Sequence, residues 1–236
     1  MTSRKKYIIA GGTVGFLLAL LALNWIYQVV RKPAELFFPV SGALSKTPTE
    51  TWRHYQTLFR EHSTSVITPE LLAALAQVEA AGNPVARTPW RVKATTDPRE
   101  VYRPASSAVG MYQMTDGTFR EAKRYCIRDH AAIEDGCWFT SLYMRVIPSH
   151  AIELTSAYLD RRVAAILESR RIAASVEQKE NLAAVIHLCG AAAGDAYARR
   201  GFRFTPGQRC GEHDARAYLA RVTVMKRVFA RFSAFG

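Results

Sequence analysis

From Tyr7 to Val30 the chain carries no Asp, Glu, Lys or Arg, and only Asn24 and Gln28 interrupt it with strongly polar side chains. About 20 apolar residues suffice for one helix to cross a bilayer. A buried core helix would show a polar face, and this run shows none. Arg4, Lys5 and Lys6 precede the run and Arg31 and Lys32 follow it; the heavier leading cluster favours an inside N-terminus. A cleavable signal peptide is the rival reading, but it ends in an A-x-A-like site, and this run ends Leu23-Asn24-Trp25-Ile26-Tyr27. Residues 1–32 are therefore expected to be a short cytoplasmic stub and a single-pass membrane anchor, with the remainder exported beyond it.

That placement bears on the cysteines. Cys126, Cys137, Cys189 and Cys210 would meet an oxidising compartment, where an even number suggests disulfides. Three pairings are open; 126 with 137 and 189 with 210 enclose the shorter loops. Zinc is the competing use, but the chain lacks any C-x-x-C spacing, so no metal is expected. The formal net charge of +12 suits an anionic partner such as lipid headgroups, stem-peptide carboxylates or nucleic acid. Nothing resembling a zinc finger or helix-turn-helix accompanies it, so nucleic acid is not an expected partner.

Residues 33–48 hold three prolines and no sustained period, which reads as a linker. From about Thr49, Trp52, Tyr55, Leu58 and Phe59 recur at helical spacing. A second helix opens with Thr68 as N-cap and Pro69 at its first position, and Gly82-Asn83-Pro84 stops it. Residues 84–109 hold four of the ten prolines and predict a long loop or irregular strands. Helices are expected over 116–128, with Asp116 capping the first of them, and over 138–146, 149–169, 177–198, interrupted late by Gly190 and Gly194, and 214–231. The expectation is one mainly α domain over residues 49–236.

Two segments carry the chemistry. Gln77-Val78-Glu79-Ala80 ends a helix before Gly82-Asn83-Pro84, and Ser106-Ser107-Ala108-Val109-Gly110-Met111-Tyr112-Gln113-Met114 leads into Thr118-Phe119. The pair resembles the lytic transglycosylase family of bacterial muramidases, whose motifs run Glu-Ser with a nearby Asn-Pro, then Gly-Ala-x-Gly-Leu-Met-Gln-Leu-Met-Pro-x-Thr-Ala. A third family element, Ala-Ala-Tyr-Asn-Ala-Gly, falls on Val185-Ile186-His187-Leu188-Cys189-Gly190. The resemblance covers about residues 68–195. It implies a lysozyme-like fold of the goose-type lysozyme and transglycosylase kind, peptidoglycan glycan strands as substrate, and no cofactor, with the anchor in a bacterial inner membrane and the domain in the periplasm.

The resemblance makes Glu79 the catalytic residue. Breaking a glycosidic bond requires a proton on the leaving oxygen while an oxocarbenium-like state develops, and apolar walls keep a carboxyl protonated; Val78, Met111 and Tyr112 are the candidate walls. In the family the same Glu then takes a proton from the muramic acid C6 hydroxyl, which attacks C1 and leaves a 1,6-anhydro product. Ser107, Gly110, Met111, Tyr112 and Gln113 would shape the sugar cleft, the glycine by close backbone approach and Gln113 by hydrogen bonds; plain core packing is the alternative for Met111 and Met114.

The departures are Ala80 for Ser, Thr115-Asp116 for Met-Pro, an insert of roughly residues 88–102, and His187-Leu188 for Tyr-Asn. His187 either takes over the tyrosine's hydrogen bond near Glu79 or is a satisfied core histidine. A hydrolase of the lysozyme type would need a second carboxylate, for which Asp97, Glu100 and Asp116 are the candidates. A non-catalytic wall-binding or assembly protein is a further reading, as is a toxin driven by basic charge. A tether of this kind also suits a partner in the cell envelope or a secretion complex.

Overall fold

Two Thr-Pro pairs set the first two helices of the domain. In the computed structural model, which describes residues 3–37 and 41–234, Thr47 caps α2 (Pro48–Glu61) in a reciprocal box with Glu50, and Thr68 caps α3 (Pro69–Ala80). Each proline sits where the helix has no use for its missing N–H. The α2 helix buries Thr51, Trp52, Tyr55 and Phe59 on one face, while α3 is buried all round from Leu71 to Ala76, as expected of a helix that runs through a core. Ala81 ends α3 in the left-handed region, and a side chain on Gly82 would meet Thr51 Oγ1 at 2.3 Å. The close approach of α2 therefore demands glycine there.

Preceding them, α1 (Ser3–Arg31) is long and apolar enough over Ala10–Arg31 to cross a membrane, a test that a signal sequence also passes. After α3 the chain runs through a two-stranded ribbon, β1 (Trp90–Val92) and β2 (Tyr102–Pro104), then α4 (Asp116–Ala122), a second ribbon of β3 (Cys126–Arg128) and β4 (Ala131–Ile133), and the long α5 (Pro148–Arg170). It continues with α6 (Val176–Cys189), α7 (Ala191–Arg199), a short ribbon of β5 (Arg209–Cys210) and β6 (His213–Asp214), and α8 (Ala215–Ala234). The core forms where α3 packs on α8 and α2, and where α5 packs on α6. The fold is lysozyme-like and mainly helical.

Three expected helices and one expected cap change. The helix expected over 116–128 stops at Ala122, and Cys126–Arg128 pairs with β4 instead. Asp129 and His130 both take positive φ at the turn, the geometry of a two-residue hairpin. Thr115, not Asp116, caps α4 with its side chain. Residues 138–146 give only a 3-10 turn over Trp138–Leu142, anchored where the single Thr140 hydroxyl proton is shared between the Lys123 and Cys137 carbonyls. The helix expected over 177–198 breaks at Gly190, whose φ of 81° and ψ of 168° end α6 and start α7.

The segment expected to be a linker forms 3-10 turns over Pro33–Phe37 and Ser41–Leu44; its residues 38–40 lie outside the described residues. Glu35 within it is fully buried among Lys32, Arg87 and Trp90. Disulfides join Cys126 to Cys137 and Cys189 to Cys210, the two short-loop pairings.

Candidate active site

Glu79 occupies the last turn of α3, where the helix emerges from the core. Its side chain keeps 16% of its exposure, enough to meet a ligand and little enough to feel the protein's charges. Two partners converge on one oxygen, Oε1. The Tyr218 hydroxyl, from α8, donates to it at 2.5 Å, and His187 Nε2, from α6, stands 3.4 Å away. Among the described residues no bond engages Oε2, so that oxygen is the one available to a ligand.

The electrostatics follow from those partners. Burial pushes the Glu79 carboxyl up, but the His187 hydrogen bond and charge, then the Tyr218 hydroxyl and the charge of His213, together hold it below the usual carboxylate value. Burial and the neighbouring carboxylate push the Tyr218 hydroxyl well above its ordinary value, so it remains a protonated donor.

Behind Glu79 and His187 lies Tyr112. Its ring meets the His187 ring edge-on with centroids 6.3 Å apart, and its hydroxyl donates to the Leu72 carbonyl at 3.2 Å. Tyr112 is 1% exposed and Met111 wholly buried. A side chain with no exposed face cannot stack on a sugar, so both belong to the core, contrary to the expectation that they line the cleft. Val78 is partly buried and packs against that core. Gly110 is required for a different approach than expected. Its φ is +80°, and a Cβ there would stand 2.4 Å from the Arg145 carbonyl oxygen.

Gln113 donates to the Gly110 carbonyl at 2.9 Å and more weakly to that of Ala86 at 3.3 Å. It also borders a cavity of about 240 Å³ that it shares with Thr115, Thr118, Tyr158, His187 and Gly190. Ser107 Oγ accepts the Asp116 N–H at 3.2 Å, which ties the motif loop to the start of α4. The structure thus brings Glu79 and His187 into contact, sets Gln113 beside His187, and uses Ser107, Gly110, Met111 and Tyr112 to build the support.

Three contributors escaped the sequence reading. Tyr218 lies 139 residues from its partner. His213 belongs to β6. Arg145 clamps the motif loop, donating to the Ser107 and Met114 carbonyls at 2.9 and 2.8 Å and pairing with Asp116 at 2.6 Å. The only available signal was Cys189, two residues beyond His187, whose disulfide to Cys210 draws the β5–β6 ribbon and the start of α8 toward the end of α6.

The candidate second carboxylates are committed elsewhere. Asp97 pairs with Arg99, Glu100 with Arg31 and Arg103, and Asp116 with Arg145. Among the described residues no three His, Cys, Asp or Glu side chains gather as a metal site would require.

With this geometry in view, the family model described as the transglycosylase SLT domain matches residues 56–179. No curated protein matches the chain. The match takes in Glu79 and the loop from Ser107 to Gln113, and it ends before His187, His213 and Tyr218.

Proposed function

Since the chain belongs to the transglycosylase SLT-domain family, and so to enzymes that cleave glycosidic bonds of peptidoglycan, we propose that it is a membrane-anchored lytic transglycosylase in which Glu79 is first acid and then base. The observation that carries the proposal is the placement of Tyr218 and His187 on Oε1. Oε2 is then left to face the glycosidic oxygen between N-acetylmuramic acid and N-acetylglucosamine.

In the empty site His187 and Tyr218 hold the carboxyl low. A bound glycan expels water, and a carboxylate that loses its hydration is disfavoured against its protonated form. The proton taken up on Oε2 then passes to the leaving oxygen as the C1–O bond breaks. Glu79, now a carboxylate braced by Tyr218, takes the proton of the C6 hydroxyl as that oxygen bonds C1. The product is a 1,6-anhydromuramic end, and Glu79 is protonated again, ready for the next cycle. No water, second carboxylate or cofactor enters.

Two disulfides suit an oxidising compartment, and α1 as a retained span would hold the domain in the periplasm beside its substrate. The test is mass spectrometry of peptidoglycan digested by the full chain and by Glu79→Gln. Removing a general acid costs about 10²–10⁴-fold. The expectation is anhydro-muropeptides from wild type and a loss of that size in the variant. Reducing-end products would instead establish a hydrolase, and equal glycan binding with no products from either protein would establish a wall-binding protein.

A further inference from the structure

Asn24 and Gln28 are the two polar interruptions of an otherwise apolar helix, and both donate to the β1–β2 segment. Asn24 Nδ2 reaches the Tyr102 carbonyl at 2.8 Å, and Gln28 Nε2 reaches the Arg99 carbonyl at 2.8 Å. One turn on, Arg31 pairs with Glu100 at 2.7 Å. Positions 24, 28 and 31 fall at i, i+4 and i+7, a single stripe along α1. Lys32 then pairs with Glu35, which also accepts the Trp90 indole N–H at 2.8 Å. The exit of α1 is thus fastened to the ribbon along its length.

Three of the ribbon's apolar side chains are exposed. Val92 is 77% exposed, and Val101 and Tyr102 are exposed as well. Val92 and Tyr102 are cross-strand partners, so they share a face. Val101 and Tyr102 continue into one concave surface with Leu17, Leu20 and Leu21 of α1. We propose that this ribbon seats in the lipid–water interface of the leaflet from which α1 emerges, with Val92, Val101 and Tyr102 against acyl chains and Lys93, Arg99 and Arg103 toward anionic headgroups.

Depth, charge and hydrogen bonding agree on that occupant. At 1.5 Å per residue, Asn24 lies about 10 Å below Arg31 along the helix, a distance that takes the ribbon through the headgroup layer to the upper acyl chains. Trp25 and Tyr27 of α1 and Trp90 and Tyr102 of the ribbon lie together at that level, the side chains that favour a membrane interface. Residues 88–104 carry four basic and two acidic side chains, which complements anionic lipid. The backbone is also prepared for a drier medium. The strands pair with each other, Lys93 N–H donates to the Val101 carbonyl at 2.7 Å, and α1 supplies donors to two further carbonyls.

The consequence for function runs through Arg91, which pairs with Glu212 at 3.2 Å in the turn beside His213. A ribbon held at the membrane therefore biases how the Glu79 site faces it, toward strands lying close above the bilayer.

The proposal rests on α1 being a span, and the test separates the two. Full-length chain carrying a spin label at Val92→Cys, Leu21→Cys or Val224→Cys is reconstituted into phosphatidylcholine–phosphatidylglycerol vesicles under non-reducing conditions. Collision of each label with oxygen, which concentrates in lipid, is compared with collision with a water-soluble nickel chelate. The expected result is oxygen-dominated collision at positions 21 and 92 and chelate-dominated collision at 224, which is exposed on α8. Position 92 in water with 21 in lipid would overturn the ribbon's seat alone, and both in water would overturn the anchor as well. Val92 is exposed, so its substitution disturbs no packing.

Discussion

The two halves of the site differ in what they contribute. The half within the family match supplies Glu79 and a scaffold in which Met111 and Tyr112 are buried and Gly110 admits a passing backbone. The half beyond it, on α6, β6 and α8, supplies the three groups that decide where Glu79 keeps its proton. Motif residues here hold shape, and residues outside the match hold charge. That division reflects range: a close backbone approach must be written into local sequence, whereas a donor to a carboxyl can arrive from any helix that packs nearby.

The sharpest way to break the division is Gly110→Ala. Its Cβ would stand 2.4 Å from a carbonyl oxygen at φ +80°, and a non-glycine residue held in such a region costs about 1–3 kcal/mol before the clash is counted. A loss of about 3 kcal/mol, on the order of 10 °C in Tm for a domain of this size, is expected, with activity per folded molecule largely retained. Calorimetry alongside active-site-normalised rates checks it. An unchanged Tm with lost activity would place Gly110 with the chemistry after all.

Tyr218→Phe probes the other half and reverses the signature. It removes one hydrogen bond to a charged group, worth about 1.5–3 kcal/mol, so kcat should fall roughly 10- to 100-fold while Tm moves by a few degrees at most. Product release from purified glycan strands, with Tm measured in parallel, reads both. If Tyr218→Phe unfolds the protein without lowering the rate of the folded fraction, the hydroxyl is structural and the division fails.

What the sequence made legible follows the same boundary. The start of α3 was readable because Thr68 and Pro69 act on their own backbone, and its end because Gly82 must clear Thr51. The interruption at Gly190 was readable too, but that it would end one helix and start another was not, since a glycine within an apolar run takes a φ of 81° only once α7 has packed. The β3–β4 turn was missed because Asp129 and His130 take positive φ without glycine. Tyr112 reads equally well as cleft or core until its hydroxyl finds the Leu72 carbonyl. Asn24 and Gln28 looked like blemishes in a span because their acceptors lie more than 70 residues away.

His187→Gln sharpens the comparison at the smallest scale, a shift in pH dependence. Glu79 must hold a proton to act as the acid. Without His187 the carboxyl rises from its lowered value, because the two largest influences pulling it down, the His187 hydrogen bond and charge, are gone and burial still pushes it up. The alkaline limb of kcat/KM should therefore move to higher pH, with a smaller change in the rate at the optimum than Tyr218→Phe produces. A pH profile of anhydro-product formation measures it. An alkaline limb that stays in place would make His187 a packing residue over Tyr112, and would leave Tyr218 and His213 as the groups that set the proton on Glu79.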